Sequence, residues 1–279
     1  MHFKQFQIYS LAFLTVASAF MPSAVLAQAS NTGTWVTASP MPVARAMTAA
    51  VTVGDTIYLV AGGKEEEPTS EILAFNVTTG AWTTKQTTLS PSRNSGRAEN
   101  IAGKIYFAGG YAKNNVPAFL EVYDTEIGQW STKTKMSSGH GGPASGAVGN
   151  KFYIIGGEFD GAPLPVVEAY DTDSETWKIK KQMNTARTQA GSATVGDKIY
   201  YIGGTNQAGI LSTVEVYDTT SDTWQYKSPL TYPRTNISNT TIALNNKIYV
   251  IGGRNEAGPI ANVSVYDIAT DSWSDSTPM

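Results

Sequence analysis

Cysteine is absent from this chain of 279 residues, and histidine is scarce, with only His2 and His140. The absence of cysteine excludes a disulfide framework and a thiolate-bound zinc site. A zinc or copper site built from imidazole groups normally needs two or three of them. The sequence therefore predicts no metal site.

The sequence also lacks the common catalytic motifs. It has no Gly-x-Ser-x-Gly nucleophile motif, no phosphate-binding loop and no paired-histidine helix motif. We therefore predict no catalytic residue and no cofactor, and we favour a protein that is not an enzyme. The net charge is −3 and the isoelectric point is near 5.5. Because nucleic-acid binding usually requires a basic face, this composition argues against a nucleic-acid partner.

Only the N-terminus carries a long hydrophobic run. Lys4 precedes an apolar stretch over residues 8–20, and small side chains follow over residues 24–27. This order is typical of a secretory signal peptide, here residues 1–27, with cleavage after Ala27. The alternative is an N-terminal anchor, but the run is short for a bilayer span of about 20 residues. We predict an exported protein, periplasmic or extracellular, that is not inserted in a membrane after cleavage. The lack of cysteine favours a bacterial export route.

A repeat dominates the remainder of the chain. Five glycine pairs begin 47, 47, 47 and 49 residues apart, at Gly62, Gly109, Gly156, Gly203 and Gly252. Each pair is followed by a tryptophan, at Trp82, Trp130, Trp177, Trp224 and Trp273. An aromatic residue lies seven positions before each tryptophan, at Phe75, Tyr123, Tyr170, Tyr217 and Tyr266. A fixed period near 47 residues predicts a stacked repeat architecture.

Each repeat is expected to form four antiparallel strands. In the fourth repeat, residues 190–195 and 198–202 are predicted strands on either side of Gly196-Asp197. This dipeptide suits the turn of a two-residue hairpin. Two further strands follow, over residues 211–217 and from Thr223. The predicted mature chain has no window with helical periodicity. Such small sheets cannot bury their own faces, so we predict an all-β propeller in which they stack around an axis.

The pattern of Gly-Gly, Tyr and Trp resembles the kelch repeat family over residues 35–279. This resemblance implies a β-propeller with one four-stranded blade per repeat, here residues 28–279 with repeats at about 41–82, 89–130, 136–177, 183–224 and 230–273. Trp35 looks like an additional outer strand, and residues 277–279 look like the opening of a further repeat. We expect five complete blades and an orphan N-terminal strand. The alternative is a truncated six-bladed propeller.

The resemblance also implies that ligands approach one rim of the propeller, where two rings of side chains are expected. The inner-strand ring consists of Arg45, Arg93, His140, Arg187 and Arg234. The post-glycine ring consists of Lys64, Tyr111, Glu158, Thr205 and Arg254. The first ring is nearly constant, so its arginines are either binding residues or structural ones. The second ring varies, as a surface freed from packing can.

A set of glutamates, at Glu121, Glu168 and Glu215, recurs two residues before the repeat tyrosines. Their periodicity indicates a structural role, for which pairing with a neighbouring blade is one possibility. Leu73 and Ser264 take this position in the other two repeats.

We favour an exported binding module that recognises a protein or an anionic glycan through this rim. One alternative is an enzyme, because exported sugar mutarotases that act on sialic acid also resemble kelch propellers. A second alternative is a structural or surface interaction domain without a small-molecule ligand, for which an open blade edge at Trp35 provides a pairing site.

Overall fold

The computed structural model describes residues 25–27, 35–64, 67–85, 89 and 91–279, and the side chains of residues 25–27 and 64 are not among the described atoms. Most of the predicted signal peptide therefore lies outside the described residues. Every regular element in the described part is a β-strand. Among these residues, no helix is long and apolar enough to cross a bilayer.

Two short strands, β1 (Val25–Ala27) and β2 (Trp35–Thr37), precede the repeats. Blade 1 contains β3 (Ala49–Val53), β4 (Thr56–Val60), β5 (Gly63–Lys64), β6 (Glu67–Pro68), β7 (Ile72–Asn76) and β8 (Ala81–Lys85). Blade 2 contains β9 (Arg97–Ile101), β10 (Lys104–Ala108), β11 (Leu120–Asp124) and β12 (Gln129–Thr132). Blade 3 contains β13 (Ala144–Val148), β14 (Lys151–Ile155), β15 (Glu158–Phe159), β16 (Ala162–Pro163), β17 (Val167–Asp171) and β18 (Thr176–Ile179). Blade 4 contains β19 (Gly191–Val195), β20 (Lys198–Ile202), β21 (Thr205–Asn206), β22 (Gly209–Ile210), β23 (Val214–Asp218) and β24 (Thr223–Lys227). Blade 5 contains β25 (Thr241–Leu244), β26 (Lys247–Ile251), β27 (Arg254–Asn255), β28 (Gly258–Pro259), β29 (Val263–Asp267) and β30 (Ser272–Ser276).

Each blade is a four-stranded antiparallel meander in chain order, and the two-residue strands form separate small hairpins after the glycine pairs. The structure confirms the predicted all-β propeller with five complete blades. The two-residue turn after the first strand of each blade has positive φ at its first residue, as in Gly54 and Gly196, or at both residues, as in Asn245 and Asn246. These are the conformations that let a two-residue loop match the twist of the flanking strands.

The corner after each third strand is closed by a local side-chain bond. The Asp218 carboxylate accepts hydrogen bonds from the backbone N–H groups of Thr220 and Ser221, both at 3.0 Å. Equivalent bonds are made by Asn76, Asp124, Asp171 and Asp267. An Asx turn of this kind explains why aspartate or asparagine recurs at this corner.

The repeat aromatics pack within their blades, and four of the five repeat tryptophans bond to the segment that precedes their own blade. Tyr217 is fully buried, and its ring centroid lies 5.0 Å from that of Trp224. The indole N–H of Trp224 donates to the carbonyl of Lys181 at 2.9 Å, in the segment that leaves blade 3. The same donation joins Trp82 to Ser39, Trp177 to Thr134 and Trp273 to Ser228. The indoles therefore act both as apolar filling and as hydrogen-bonded links between neighbouring segments.

The predicted additional strand is present as β2, and it pairs with β1 in antiparallel register. Its Trp35 donates to the carbonyl of Pro278 at 3.0 Å and packs against Ile251 and Val263 of blade 5. Trp35 thus makes toward blade 5 the same kind of contact that Trp177, Trp224 and Trp273 make toward the segment leaving the blade before them. The inner strands β3, β9, β13, β19 and β25 lie side by side in that order, with no comparable contact between β25 and β3 in the described part of the chain.

Candidate functional site

The two predicted rings lie on the same rim of the propeller because the backbone joins them. In each blade, the residue after the inner-strand ring position forms an antiparallel bridge either with the second glycine of the pair, as in blade 1, or with the residue that follows the pair. These bridges are Ala46 to Gly63, Asn94 to Tyr111, Gly141 to Glu158, Thr188 to Thr205 and Thr235 to Arg254. In blade 4, the two backbone hydrogen bonds of the bridge measure 3.0 and 2.9 Å. The rim is therefore a set of five hydrogen-bonded corners.

The inner-strand ring lies beneath this rim and not on its surface. The side chains of Arg45, Arg93, His140, Arg187 and Arg234 are all buried. The expectation that they face a ligand is therefore not met by their positions, because a side chain without solvent exposure cannot contact a partner at the rim. Desolvation lowers the pKa of Arg93 and Arg187, and their carboxylate neighbours oppose this change. A guanidinium stays charged under such a shift.

The periodic glutamates bond to this ring in blades 2, 3 and 4. Arg93 forms an ion pair with Glu121, and Arg187 lies 3.1 Å from Glu215. In blade 3, the imidazole of His140 lies 3.2 Å from the Glu168 carboxylate. The possibility that these glutamates pair with a neighbouring blade is therefore wrong. Each of them closes its own blade.

In blades 1 and 5, other residues bond to the buried arginine. Arg45 pairs with Glu71, which lies two positions before Leu73, the residue at the periodic place. Arg234 donates to the Ser264 hydroxyl at 2.6 Å, and that hydroxyl lies 3.0 Å from the Asp275 carboxylate. All five blades thus bond the buried arginine or histidine at this position to a partner on or near the third strand. This supports a structural role for the inner-strand ring.

The post-glycine ring lies above these pairs with greater exposure. Arg254 is exposed, and Tyr111, Glu158 and Thr205 are half-buried. The side chain of Lys64 lies outside the described residues. Burial and the neighbouring Glu158 carboxylate together raise the pKa of the Tyr111 phenol. Tyr111 from blade 2 and Glu158 from blade 3 are therefore brought together across a blade boundary.

Glycine at the start of blade 3 makes room for Tyr111. A Cβ atom on Gly141 would lie 2.4 Å from the Tyr111 ring, and one on Gly142 would lie 2.9 Å from the Thr188 hydroxyl. Because the backbone at these positions is bare, the ring can lie across it. The phenol then reaches toward blades 3 and 4.

A further set of rim residues was not predicted from the sequence. Two positions after each inner-ring residue, the backbone adopts left-handed φ values between 55° and 57°, at Met47, Ser95, Gly142, Gln189 and Asn236. Side chains other than glycine rarely adopt this conformation. The residue type differs in every blade, and Met47 is 59% exposed. The signal in the sequence that could have identified these rim residues is the change of residue type from repeat to repeat, two positions after a nearly constant arginine.

The rim also exposes apolar groups. Phe159 lies in the small hairpin of blade 3, and Tyr232 lies in the loop that enters blade 5. Together with Met47, they are among the exposed large hydrophobic residues of the protein.

Comparison with known proteins agrees with this architecture. A sequence profile described as the KLHDC2/KLHL20/DRC7 Kelch-repeats domain matches residues 98–279, and one described as the Kelch motif matches residues 44–87. Kelch repeat protein M-T8 of Myxoma virus (strain Lausanne) is 34% identical over 74 residues, which cover 26% of this chain and 14% of the viral protein. The match thus spans a small part of that relative.

The fold is shared with a solved structure. The structure titled "Structure of YjhT" superimposes with a TM-score of 0.79 at 15% sequence identity, and the match covers 91% of this chain and 90% of the other. At this identity, the likeness concerns the fold alone.

Proposed function

This chain belongs to the kelch-repeat family, and we propose that it is an exported protein-binding module that recognises its partner through one rim of the propeller. We define the recognition rim as Met47, Tyr111, Glu158, Phe159, Gln189 and Arg254. One observation carries the proposal: these varied side chains lie above five buried arginine or histidine side chains, each bonded within its own blade at a nearly constant position. A rigid support beneath variable surface groups is the usual arrangement of a binding site on a repeat scaffold.

The chemistry of the recognition rim favours a protein over an anionic glycan. The inner-strand cations are buried and bonded within their blades, so they do not form a cationic funnel. The rim surface combines the acid Glu158 with the base Arg254 and with apolar groups. Tyrosine, arginine and methionine are enriched at protein interfaces, whereas an anionic glycan requires an excess of positive charge.

Export is the second part of the proposal. It is supported by the order of the basic residue, the apolar stretch and the small side chains over residues 1–27. Removal of this segment would leave Trp35 with its contacts to blade 5.

The proposal is tested by placing a photo-crosslinking amino acid at Met47 and, separately, at Tyr226. The two side chains are equally exposed, at 59%, but Tyr226 lies on the outer strand β24. We expect illumination of cells that make the protein to yield a discrete protein adduct from position 47 only. Equal adducts from both positions, or none from position 47, would contradict the proposal. A carbohydrate adduct at position 47 would favour the glycan alternative.

A further inference from the structure

A cavity of about 360 Å³ lies at the centre of the propeller, between the inner strands of all five blades. This volume is at the small end of the range for ligand pockets, so it suits a small molecule and not a protein segment. Its walls are mostly small or hydroxyl-bearing residues, such as Ala50, Thr194 and Thr241. The cavity is separate from the recognition rim, and the inference below does not depend on the proposed function.

Two opposite charges, Arg97 and Glu99, face this cavity from a single strand. They lie two residues apart on β9 and therefore point to the same side. In the strand register, Arg97 corresponds to Ala49, Ala144 and Gly191 of other blades. Blade packing in those blades thus requires only small residues here. The two charges are an exception to the repeat, which argues against a repeated structural role.

The Arg97 head group is fixed across the cavity. It donates to the backbone carbonyl of Ser238, to the Asn239 side-chain oxygen at 2.5 Å and to the Ser192 hydroxyl at 3.2 Å. The side chain is only 8% exposed, yet its Nε–H finds no acceptor in the part of the chain that the structure describes. Among the described residues, the guanidinium donates hydrogen bonds to neutral groups only and forms no direct ion pair.

Glu99 places the opposite charge on the same side of the strand. One carboxylate oxygen accepts a hydrogen bond from the Ser145 hydroxyl at 2.6 Å. Arg97 acts on it through charge without forming an ion pair among the described residues. Desolvation raises the pKa of Glu99, and the Ser145 bond and Arg97 only partly oppose this change. Desolvated charges of this kind are costly unless they are paired.

We propose that the central cavity binds a small zwitterion of the free amino acid class, with its ammonium group on Glu99 and its carboxylate on the Arg97 side. Each end of such a ligand supplies the counter-charge that one protein group lacks. A ligand with one charge would satisfy one group and leave the other unpaired. The hydroxyl groups of Ser192 and Thr241 line the cavity and provide further hydrogen-bonding groups.

The test uses isothermal titration calorimetry on the full exported chain with each of the common L-amino acids in turn. Acetate and methylammonium serve as the two half-ligands at the same concentrations. We expect saturable binding with one site for at least one amino acid and none for either half-ligand. Glu99→Gln keeps the hydrogen bond from Ser145 but removes the charge, and it should weaken binding at least tenfold. Glu126→Gln, a matched loss of one exposed carboxylate outside both the cavity and the rim, should leave binding unchanged.

A second variant separates loss of the site from loss of the fold. Glu99→Asp keeps the charge at a shorter reach, and it should bind more weakly than the original protein but more tightly than Glu99→Gln. Native circular dichroism is required of all three variants. Binding of no amino acid, binding of acetate alone at equal strength, or unchanged binding in folded Glu99→Gln would each overturn the inference.

Discussion

The guanidinium of Arg187 lies 3.1 Å from the carboxylate of Glu215, and neither side chain is exposed to solvent. The same carboxylate accepts hydrogen bonds from the backbone N–H groups of Asn184 and Thr185, at 3.0 and 3.2 Å. One glutamate therefore holds both the arginine and the loop that enters the blade. The rim above it is positioned by this buried set of bonds.

Loss of this carboxylate is expected to destabilise the propeller strongly. Glu215→Ala leaves a buried guanidinium without its counter-ion and two backbone N–H groups without their acceptor. Breaking a buried pair from one side costs about 3–5 kcal/mol. Urea unfolding should show this loss in the free energy of unfolding.

The control for this variant is a surface ion pair. Lys113 lies 3.7 Å from Glu67, and both side chains are largely exposed. Lys113→Ala should change the free energy of unfolding by less than about 1 kcal/mol. Equal effects of Glu215→Ala and Lys113→Ala would show that the buried pair does not support the blade.

The corresponding pair in blade 3 predicts a dependence of stability on pH. Burial alone would raise the pKa of Glu168, but hydrogen bonds from His140 and from Ser137 outweigh it and hold this pKa below its ordinary value of 4.5. A lowered pKa in the folded state means that the ionised group stabilises the fold above pH 4.5. This contribution is lost as the pH falls through the folded-state pKa.

Glu168→Gln isolates that contribution. The difference in unfolding free energy between the original protein and Glu168→Gln should be fully present at pH 6 and should shrink toward pH 3. The exposed Glu126→Gln should show little difference at either pH. A difference for Glu168→Gln that grows as the pH falls would contradict the assigned direction.

The glycine pairs provide a prediction with a matched control in blade 2. Gly110 has φ of +91°, and a Cβ there would lie 2.3 Å from the carbonyl oxygen of Asn94. Gly103 has φ of +80°, but its Cβ would have no atom within 4 Å. Gly103→Ala should cost about 1–2 kcal/mol through left-handed strain alone. Gly110→Ala should cost about 1–3 kcal/mol more, because the bridge to Tyr111 must shift.

Thermal unfolding of both variants measures this difference, and partner crosslinking from Met47 reports on the rim. The closer approach should make Gly110→Ala the less stable variant and the poorer binder. If the two alanine variants have the same melting temperature, the crowding at Gly110 is not what requires glycine there.

Export predicts a defined product. When the full chain is made in a bacterial host, intact mass spectrometry of the exported fraction should show a protein that begins at Gln28. Retention of residues 1–27 on a membrane-bound product would favour the N-terminal anchor.

The strand pattern and blade order could be predicted because they repeat. Glycine pairs, turn residues and aromatic residues each recur at fixed spacing, and blade packing alone dictates them. The burial of Arg187 was harder to predict, since a near-constant arginine suits either a rim or a core. Its constant separation of 28 residues from Glu215, shared by Arg93 with Glu121 and His140 with Glu168, was the available signal.

Features that occur in only one blade could not be predicted in this way. Arg97 and Glu99 belong to a strand that is otherwise equivalent to its neighbours. The bonds of Arg97 to Ser192 and Asn239, and of Glu99 to Ser145, join residues of different blades across the centre. The expectations of export, of the partner class and of an alternative mutarotase activity stay predictions, because they concern molecules and compartments outside the fold.

The most direct test compares the two rings in a single experiment. We predict that the combined variant Tyr111→Ala, Glu158→Ala and Arg254→Ala melts near the original temperature but loses most of the adduct formed from Met47. Arg187→Ala, in contrast, should lower the melting temperature by about 6 °C or more, as expected for a loss of about 3 kcal/mol in a domain of this size. If Arg187→Ala instead melts normally and loses the adduct, while the combined rim variant keeps it, recognition belongs to the inner-strand ring and the account is wrong.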